Sequence, residues 1–554
     1  MKRFAQRSAW LYSLMAVVLV AGSVFAAFSS GANAQDEKVL RIHQSTFPEN
    51  LDPQKSSFTS EIAVLALNYE GLARQDSELN TVPAAAESWE FNEDATQLTF
   101  HIRDGLTYSD GTPITSENFR FAVERTCDPN TAGEYQGILF EITGCADFAA
   151  VDPADSTAYD TAKAALGATT PDEKTLVLNF SVPAPYYATV ASLWVFYPVR
   201  ADLVTGAAED WWKDPAKQVG NGPFQMTGYD EGLQISFEAN PNYWGGSPLL
   251  NGIEYVYQGE SAIAIEAFRA GDLDIVDVDA SQLPAVSADS SLSENLVQYA
   301  VASSYQLSFN LNMEPFNDIK VRQAFSQAFD RETYCGVIRN GDCLPTLSWI
   351  PLGLPGSIET DLYGFDPEAA KAALAESSYG SAEALPEITM YFNSNDSANT
   401  ARAEWVAGQY KEILGVDITL APTEGTALTA LRKDPSTFPQ MLLVGGWIQD
   451  YPDPQNWLSV YWKCDAAFAQ RFGYCNEELD AILAKADTST DQAERLALYQ
   501  QAGEMLVNDI PGPFLYNGTQ TSLVNPNVTG YTATALDAEW PGQFTSLLTI
   551  DKTS

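Results

Sequence analysis

The stretch Met441-Leu442-Leu443-Val444-Gly445-Gly446-Trp447-Ile448-Gln449-Asp450-Tyr451-Pro452-Asp453-Pro454 decides the fold and the site. A short apolar run bounded by glycines predicts a buried strand. Open α/β sheets bind ligands beyond the carboxyl ends of their strands, so we expect the residues after the run to reach a ligand. A lone carboxylate beside an indole suits a small cation such as an ammonium, because the ring adds cation–π attraction. Asp450 and Trp447 are therefore the candidate ligand-binding residues.

Other interpretations of these residues stay open at the level of sequence. Aspartate before Tyr451-Pro452 is also typical of a turn, and Asp453 is a competing carboxylate whose neighbour Pro454 favours a turn as well. Trp447 is equally consistent with a core aromatic residue.

The first 34 residues predict an export signal. Met1-Lys2-Arg3 is basic, the run from Trp10 to Phe28 is apolar and uncharged, and Ala32-Asn33-Ala34 is a small-residue cleavage site. We expect cleavage after Ala34; the competing interpretation is an uncleaved anchor, since the run is long enough to span a bilayer. No cysteine precedes Cys127, which disfavours a lipid-anchored N-terminus.

Composition indicates a large, acidic, globular protein. The formal charge is −43, which disfavours nucleic acid or anionic lipid as a partner, although a solvated acidic surface explains it without any function. The hydrophobic content of 45% is that of a folded chain, and the length predicts two or three domains.

Six cysteines occur as three sequence-local pairs: Cys127 and Cys145, Cys335 and Cys343, Cys464 and Cys475. Export favours disulfides, and we predict local pairing among the 15 pairings that six cysteines allow. Zinc is the rival interpretation, but there is no C-x-x-C and there are only two histidines.

Strand and helix patterns alternate along the chain, which predicts an α/β fold. We expect a helix from Ser116, with Ser116 as its N-cap, and strong helical character over 478–507. The segment 127–168, rich in Ala, Asp and Gly, is predicted to be a helical, solvent-facing insertion. The G-x-G of Val219–Phe224 lacks the third glycine of a nucleotide site, and we interpret it as a hinge or turn.

Catalytic and metal motifs are missing from the sequence. There is no H-E-x-x-H, G-x-S-x-G or P-loop pattern. Asp272, Asp274, Asp277 and Asp279 lack the glycine and glutamate of a calcium loop, so we interpret them as structural or solvated. With 73 acidic residues a glycosidase-like pair can always be imagined, but the sequence singles out none.

Several segments, in order along the chain, resemble one family. They are Tyr69-Glu70-Gly71-Leu72, Pro83 to Trp89, Thr99 to Gly105, Ser109 to Pro113, Gly220 to Phe224, Asn240-Pro241-Asn242-Tyr243-Trp244, Gly271 to Ile275, Pro315 to Phe325, and Gly446-Trp447 with Asp450-Tyr451. Each is weak alone, but together they cover nearly the whole mature chain. The chain resembles the extracytoplasmic solute-binding proteins of ABC importers that carry oligopeptides, dipeptides and nickel (solute-binding protein family 5).

The resemblance implies a type II periplasmic-binding-protein clamshell with two α/β lobes plus an extra lobe, closing by a hinge around its ligand. We expect lobe I to comprise 35–58, 184–305 and 516–554, the extra lobe II to comprise 59–183, and lobe III to comprise 306–515. The closed form would dock on a membrane permease driven by ATPase subunits.

For the site, the resemblance implies that Asp450 pairs with the ligand's α-ammonium and that Trp447 lines the pocket. Residues near Thr46, Phe47 and Tyr305 are expected to add contacts. Arg322 is expected to be structural. No metal or cofactor is predicted, and nickel is disfavoured because neither histidine falls in a ligand cluster.

The predicted function is capture of oligopeptides or dipeptides outside the inner membrane, by a secreted monomer, periplasmic or extracellular, that is not an enzyme. The alternatives are an oligosaccharide-binding member of the same family, a secreted glycosidase or peptidase, and a receptor that signals to a sensor. Sequence alone does not separate transport from sensing.

Overall fold

The computed structural model describes residues 38–395, 397–540 and 545–553. The predicted export signal, residues 1–34, lies outside the described residues. Within the described part, none of the helices has both the length and the apolar character needed to cross a membrane.

The strands include three long ones, β12, β16 and β17, that matter most for the site. The full set is β1 Val39–Gln44, β2 Ala73–Gln75, β3 Thr81–Pro83, β4 Ala86–Phe91, β5 Gln97–Ile102, β6 Ala168–Asp172, β7 Thr175–Asn179, β8 Phe224–Asp230, β9 Gln234–Ala239, β10 Gly252–Tyr257, β11 Ile275–Asp277, β12 Leu296–Phe309, β13 Cys343–Pro345, β14 Ile388–Asn393, β15 Ile418–Thr423, β16 Met441–Ile448, β17 Phe514–Val524, β18 Val528–Thr529 and β19 Asp551–Lys552.

The α-helices are most numerous in the second half of the chain. They are Thr59–Asn68, Ser116–Cys127, Cys145–Ala149, Ser156–Ala164, Tyr187–Val190, Ala201–Val204, Ser261–Ala270, Leu283–Ala288, Ile319–Gln327, Arg331–Thr333, Pro367–Glu376, Ser397–Leu414, Gly425–Lys433, Pro454–Trp462, Ala467–Phe472, Glu477–Thr488 and Gln492–Asp509. Short 3-10 turns and one π-helical turn, Tyr334–Ile338, complete the set.

One large mixed sheet runs through the molecule in the order β15-β14-β16-β12-β17-β11-β1-β10-β9-β8, with β13 also paired to β17. Strand β12 pairs with β17 on one side and with β16 on the other, so both halves of the sheet share the β12–β17 ladder. The register of the β12–β17 pairing shifts between Ala300 and Ser304 of β12. A separate antiparallel sheet, β4-β5-β7-β6, belongs to the segment predicted as the extra lobe. The predicted α/β class is confirmed.

The predicted strand at Met441 is confirmed but is longer than the apolar run, because it continues through the glycine pair to Ile448. Glycine is needed there because β12 lies very close: a Cβ at Gly446 would stand 2.6 Å from the carbonyl oxygen of Ser304, and one at Gly445 would overlap the hydroxyl of Ser308. Close packing against β12, and not a chain break, thus explains the two glycines.

One prediction about a helix cap needs correction. The N-cap of the helix Ser116–Cys127 is Thr115, not Ser116, and Thr115 forms a capping box with Asn118. The predicted helical character of 478–507 is confirmed, and it is divided between two helices, Glu477–Thr488 and Gln492–Asp509, because Asp491 starts a new cap by accepting from the amides of Ala493 and Glu494.

The segment 127–168 is helical in part, as predicted, but it is not simply solvent-facing. Leu139, Ile142 and Phe148 are fully buried in the largest hydrophobic core. The composition of the segment wrongly predicted full solvent exposure, because its apolar residues are few but belong to the core.

The predicted disulfide pairing is confirmed. Cys127 bonds to Cys145, Cys335 to Cys343 and Cys464 to Cys475, and no cysteine of the described chain is left free. The first of these bonds ties the segment 127–168 to the end of the helix Ser116–Cys127.

The loop around Gly220 and Gly222 packs closely against the backbone of another segment, and its interpretation as a hinge or turn stays a prediction. A Cβ at Gly220 would overlap the carbonyl oxygen of Asn68, and one at Gly222 would lie 2.6 Å from the backbone nitrogen of Tyr69. Between them, the side chain of Asn221 accepts from the amide of Glu70 at 3.0 Å and donates to its carbonyl at 3.0 Å. The loop is therefore fastened to the end of the first helix.

Other segments of the resemblance meet at the same place. The carboxylate of Glu70 is buried and accepts from the hydroxyl of Tyr243 at 2.6 Å and from the indole of Trp244. The guanidinium of Arg103 lies over the Trp244 ring at 3.8 Å, and Arg74 forms an ion pair with Glu70 at 3.3 Å. Segments far apart in sequence thus form one packed junction.

Replacing Gly220 with alanine should destabilise the protein by at least about 2 kcal/mol, because the added methyl group displaces backbone atoms that cannot rotate away. Urea unfolding measures the loss. The matched control is Gly259→Ala, where a Cβ meets no atom within 4 Å, and its effect should stay within about 0.5 kcal/mol. Equal stability of the two variants would contradict the role of Gly220.

Candidate functional site

Asp450 lies two residues beyond the end of β16, at the carboxyl end of the strand as predicted. Its side chain is buried, with 9% exposed. One carboxylate oxygen, Oδ1, accepts from the Tyr135 hydroxyl at 3.0 Å, and the other, Oδ2, accepts from the Asn456 amide at 2.9 Å. Both donors are neutral, and Tyr135 comes from a segment 315 residues away in sequence.

Asn456 holds the end of β16 in place. Its side-chain oxygen accepts from the backbone amide of Asp450 and from the indole of Trp447, both at 3.0 Å. Asn456 lies in the first turn of the helix Pro454–Trp462, whose start is fixed by Asp453 as N-cap and by proline at the first position. The helix start therefore sets the orientation of the Asp450 carboxylate.

Asp453, the competing carboxylate, has a structural role. It caps the helix by accepting from the amide of Gln455 at 2.9 Å. It also pairs through both oxygens with Arg495, at 2.7 and 2.6 Å, and the Arg495 side chain is almost fully buried. The ion pair connects the start of the helix Pro454–Trp462 to the helix Gln492–Asp509. Both oxygens of Asp453 therefore take part in contacts within the protein.

A cavity of about 210 Å³ lies against Asp450. We call it the Asp450 cavity. Its walls come from the start of the helix Thr59–Asn68, from Tyr135 and Trp194, from the end of β16 and from the C-terminal segment. The residues that line it are Ser57, Phe58, Thr59, Ile62, Ala63, Tyr135, Trp194, Ile448, Gln449, Asp450, Leu536, Ala538 and Glu539. It combines aromatic and aliphatic walls with two carboxylates, as small-ligand sites do.

Burial shapes the ionisation of both carboxylates in this cavity. Burial outweighs the hydrogen bonds from Asn456 and Tyr135 and raises the pKa of Asp450 from 3.8 to about 6. Burial, followed by the negative charge of Asp277, raises the pKa of Glu539 from 4.5 to about 7. The negative charge of Asp450, followed by burial, raises the pKa of Tyr135, whose hydroxyl therefore remains a donor. A cation entering the cavity would stabilise the charged carboxylates.

The other predicted ligand residues do not line the Asp450 cavity. Trp447 is half-buried and packs edge-on against Tyr461 and Phe468, while its indole reaches Asp450 indirectly through Asn456. Tyr305 stacks on Tyr516 at 4.8 Å.

Thr46 and Phe47 follow the end of β1, outside the strand. Thr46 is exposed, and Phe47 packs on Tyr257 with ring centroids 4.5 Å apart. The structure thus brings Asp450 and Trp447 together through Asn456 and leaves the other three apart from this cavity, and their ligand roles stay predictions.

Sequence reasoning missed three residues of the site. Tyr135 was hidden in the segment 127–168, whose composition predicted a surface insertion. Asn456 carried a usable signal, since it follows the Asp453-Pro454 helix start at the distance of one turn. Glu539 lies close to the C-terminus, among acidic residues with nothing to distinguish it.

Arg322 is structural, as expected. Its guanidinium donates to the carbonyls of Phe316, Asp509 and Ile510 at 2.8 to 3.0 Å, which satisfies the end of the last helix. In the described part of the chain, no group of three or more His, Cys, Asp or Glu is arranged to hold a metal ion.

The sequence matches the family model of bacterial extracellular solute-binding proteins, family 5, over residues 80–469. The chain belongs to this family. Its fold is the type II clamshell of the periplasmic binding proteins, as the resemblance implied.

Relatives of similar length support this assignment. The oligopeptide-binding protein OppA of Bacillus subtilis is 26% identical over 91% of this chain and 92% of its own. A probable deoxycholate-binding periplasmic protein, YgiS of Escherichia coli, is 29% identical over 94% of this chain and 95% of its own. In the solved structure of Haemophilus influenzae OppA with RPPGFSPFR, the fold matches with a TM-score of 0.74 at 24% identity, over 94% of this chain and 99% of that one.

The raised pKa of Asp450 predicts a specific dependence of stability on pH. Between about pH 4 and pH 6 this group binds more protons in the folded than in the unfolded protein, so its effect becomes destabilising as the pH rises. Asp450→Asn should therefore be more stable relative to the wild type at pH 7.5 than at pH 4, by up to about 3 kcal/mol. Urea unfolding of ligand-free protein at both pH values measures the difference.

For this comparison, the unfolding free energies of the two proteins must fall with the same slope against urea concentration. A difference in unfolding free energy that is the same at both pH values would contradict the assignment.

Proposed function

We propose that this protein is the extracytoplasmic binding component of an ABC importer, which captures oligopeptides or dipeptides by hinge closure and delivers them to a membrane permease. Asp450 would pair with the free α-ammonium of the peptide. The observation that carries the proposal is a buried carboxylate, raised in pKa by burial, on the wall of an aromatic cavity. An ammonium is the ligand group that best offsets that burial.

The position of the cavity supports capture by closure. With the proposed lobe boundaries, Ser57 and Leu536 belong to lobe I, Tyr135 to lobe II and Asp450 to lobe III, so all three lobes contribute walls. The ladder of β12 and β17, with its shifted register near Ala300, joins lobes I and III. Closure between lobes would bring the cavity walls together around a ligand.

Partners and location follow from the same proposal. Family membership supports a secreted, non-enzymatic monomer, periplasmic or extracellular after cleavage of the signal. Peptide binding is supported by the relatives named for oligopeptides. The relative named for deoxycholate gives a second candidate ligand, but two carboxylates in the cavity would repel the carboxylate of that molecule.

Asp450→Asn should weaken binding of a short peptide with a free N-terminus by at least about 30-fold, because a buried ammonium then lacks its countercharge. The same peptide with an acetylated N-terminus should bind weakly to the wild type and be little affected by the substitution. Isothermal titration calorimetry measures both affinities.

The matched control is Asp361→Asn, an exposed aspartate, which should bind both peptides as the wild type does. An equal loss for the free and the acetylated peptide would contradict ammonium pairing. Recovery of the peptides intact after incubation is expected; cleaved products would favour a hydrolase, and hexose units released from purified protein would favour a sugar ligand.

A further inference from the structure

A second cavity, of about 230 Å³, adjoins the Asp450 cavity. We call it the Asp277 cavity. The two share Ala538 and Glu539 as wall residues, so they lie on either side of the same short segment. The Asp277 cavity is lined by the end of β11, by the segment after β1 and by β17. Its acidic wall residues are Asp277, Asp279, Asp342 and Glu539.

The walls of this pair of cavities carry acidic side chains but no lysine or arginine among the described residues. Of the four acids, Asp342 is neutralised by Arg339, whose guanidinium lies 3.0 Å away. Asp277 accepts from the neutral hydroxyl of Ser522 at 2.9 Å, and burial raises its pKa. A cation is therefore the ligand charge that would stabilise the ionised form of these carboxylates.

Two buried acceptor atoms of residues that line the Asp277 cavity have no hydrogen-bond donor among the described residues. His43 is 2% exposed and lines the Asp277 cavity. Its Nε2 lies 2.7 Å from the carbonyl oxygen of Gln258, which can only accept, so Nε2 carries the proton. In the neutral ring Nδ1 is then an acceptor, and it has no hydrogen-bond partner among the described residues; the same holds for Oε2 of Glu539.

Buried acceptors without donors are rare in folded proteins and call for a specific explanation. A ligand that brings several N–H donors together with positive charge would satisfy the imidazole and the carboxylates at once. The ammonium of lysine offers three donors and the guanidinium of arginine offers five. A neutral or anionic side chain offers either fewer donors or the wrong charge.

We propose that the Asp277 cavity is a subsite for a basic side chain, so that the preferred ligands are peptides carrying a lysine or arginine in addition to a free N-terminus. This inference rests on the proposed function, because it assigns the ligand's α-ammonium to Asp450. The basic side chain would lie against Asp277, Asp279 and Glu539, within reach of His43.

A metal ion is the competing cation. The described residues hold no group of three or more His, Cys, Asp or Glu arranged for a metal, which favours an organic cation. Calcium and nickel are therefore tested as competitors of the peptide.

The test compares lysine with norleucine, which has a side chain of similar length without the charge. Lys-Ala-Ala, Ala-Lys-Ala and Ala-Ala-Lys, and the three norleucine counterparts, are titrated calorimetrically into the full mature protein. For at least one position, lysine should bind about tenfold or more tightly than norleucine, as one charge-assisted contact provides. In Asp277→Asn and in Glu539→Gln the lysine-to-norleucine affinity ratio should fall towards one.

The matched control is Asp272→Asn, an exposed acid at the start of the same segment, which should keep the ratio of the wild type. The ratio is independent of any general loss of affinity, so a partly destabilised variant still gives an interpretable ratio. A ratio near one in the wild type at all three positions, or an unchanged ratio in both cavity variants, would overturn the subsite. So would displacement of the lysine peptide by equimolar Ca²⁺ or Ni²⁺.

The two proposals fail in different ways. If neither lysine nor norleucine peptides bind, the proposed peptide function fails. If norleucine peptides bind in a manner that needs Asp450 but lysine brings no advantage, only the basic-side-chain subsite fails.

Discussion

The molecule depends on one ladder of hydrogen bonds, that between β12 and β17. Both halves of the large sheet are built outwards from these two strands, through β16 on one side and β11 on the other. This arrangement places two of the acidic residues: β16 ends at Ile448, two residues before Asp450, and β11 ends at Asp277. The pairing of β12 with β17 is interrupted between Ala300 and Ser304. Within the interruption, Ala302 donates to the carbonyl of Ala535 and accepts from the amide of Gln449, so β12 is bonded there to the segments that form walls of the Asp450 cavity.

Of the segments that carry the family resemblance, the one with Asp450 lines the Asp450 cavity, and most of the others meet at the junction of Asn68 to Gly71 with Gly220 to Gly222. Their chemistry is that of packing: glycines that admit a neighbouring backbone, an asparagine that replaces a backbone partner, and a buried glutamate satisfied by an indole and a phenol. A recognisable family sequence here describes a fold more than a ligand. Tyr135 and Glu539, which also line the Asp450 cavity, lie outside those segments.

Sequence reasoning succeeded where one local pattern was sufficient. The apolar run before Gly445 predicted β16, and the carboxylate after it predicted the position of Asp450, because a buried strand must end and its next residues reach the sheet edge. It failed where distant segments meet. No local signal shows that Tyr135 reaches Asp450 or that two C-terminal residues form a wall common to two cavities, since such contacts are created only by the tertiary packing of the whole chain.

The hydrogen bond from Tyr135 to Asp450 has an energetic consequence for any cationic ligand. The carboxylate is already stabilised by the protein itself, through a phenol and an amide that each donate to one oxygen. A carboxylate has about four acceptor positions, so an ammonium can bind while both of these hydrogen bonds remain. The phenol and the amide would then hold the carboxylate in one orientation before a cation arrives, and less conformational freedom would be lost on binding.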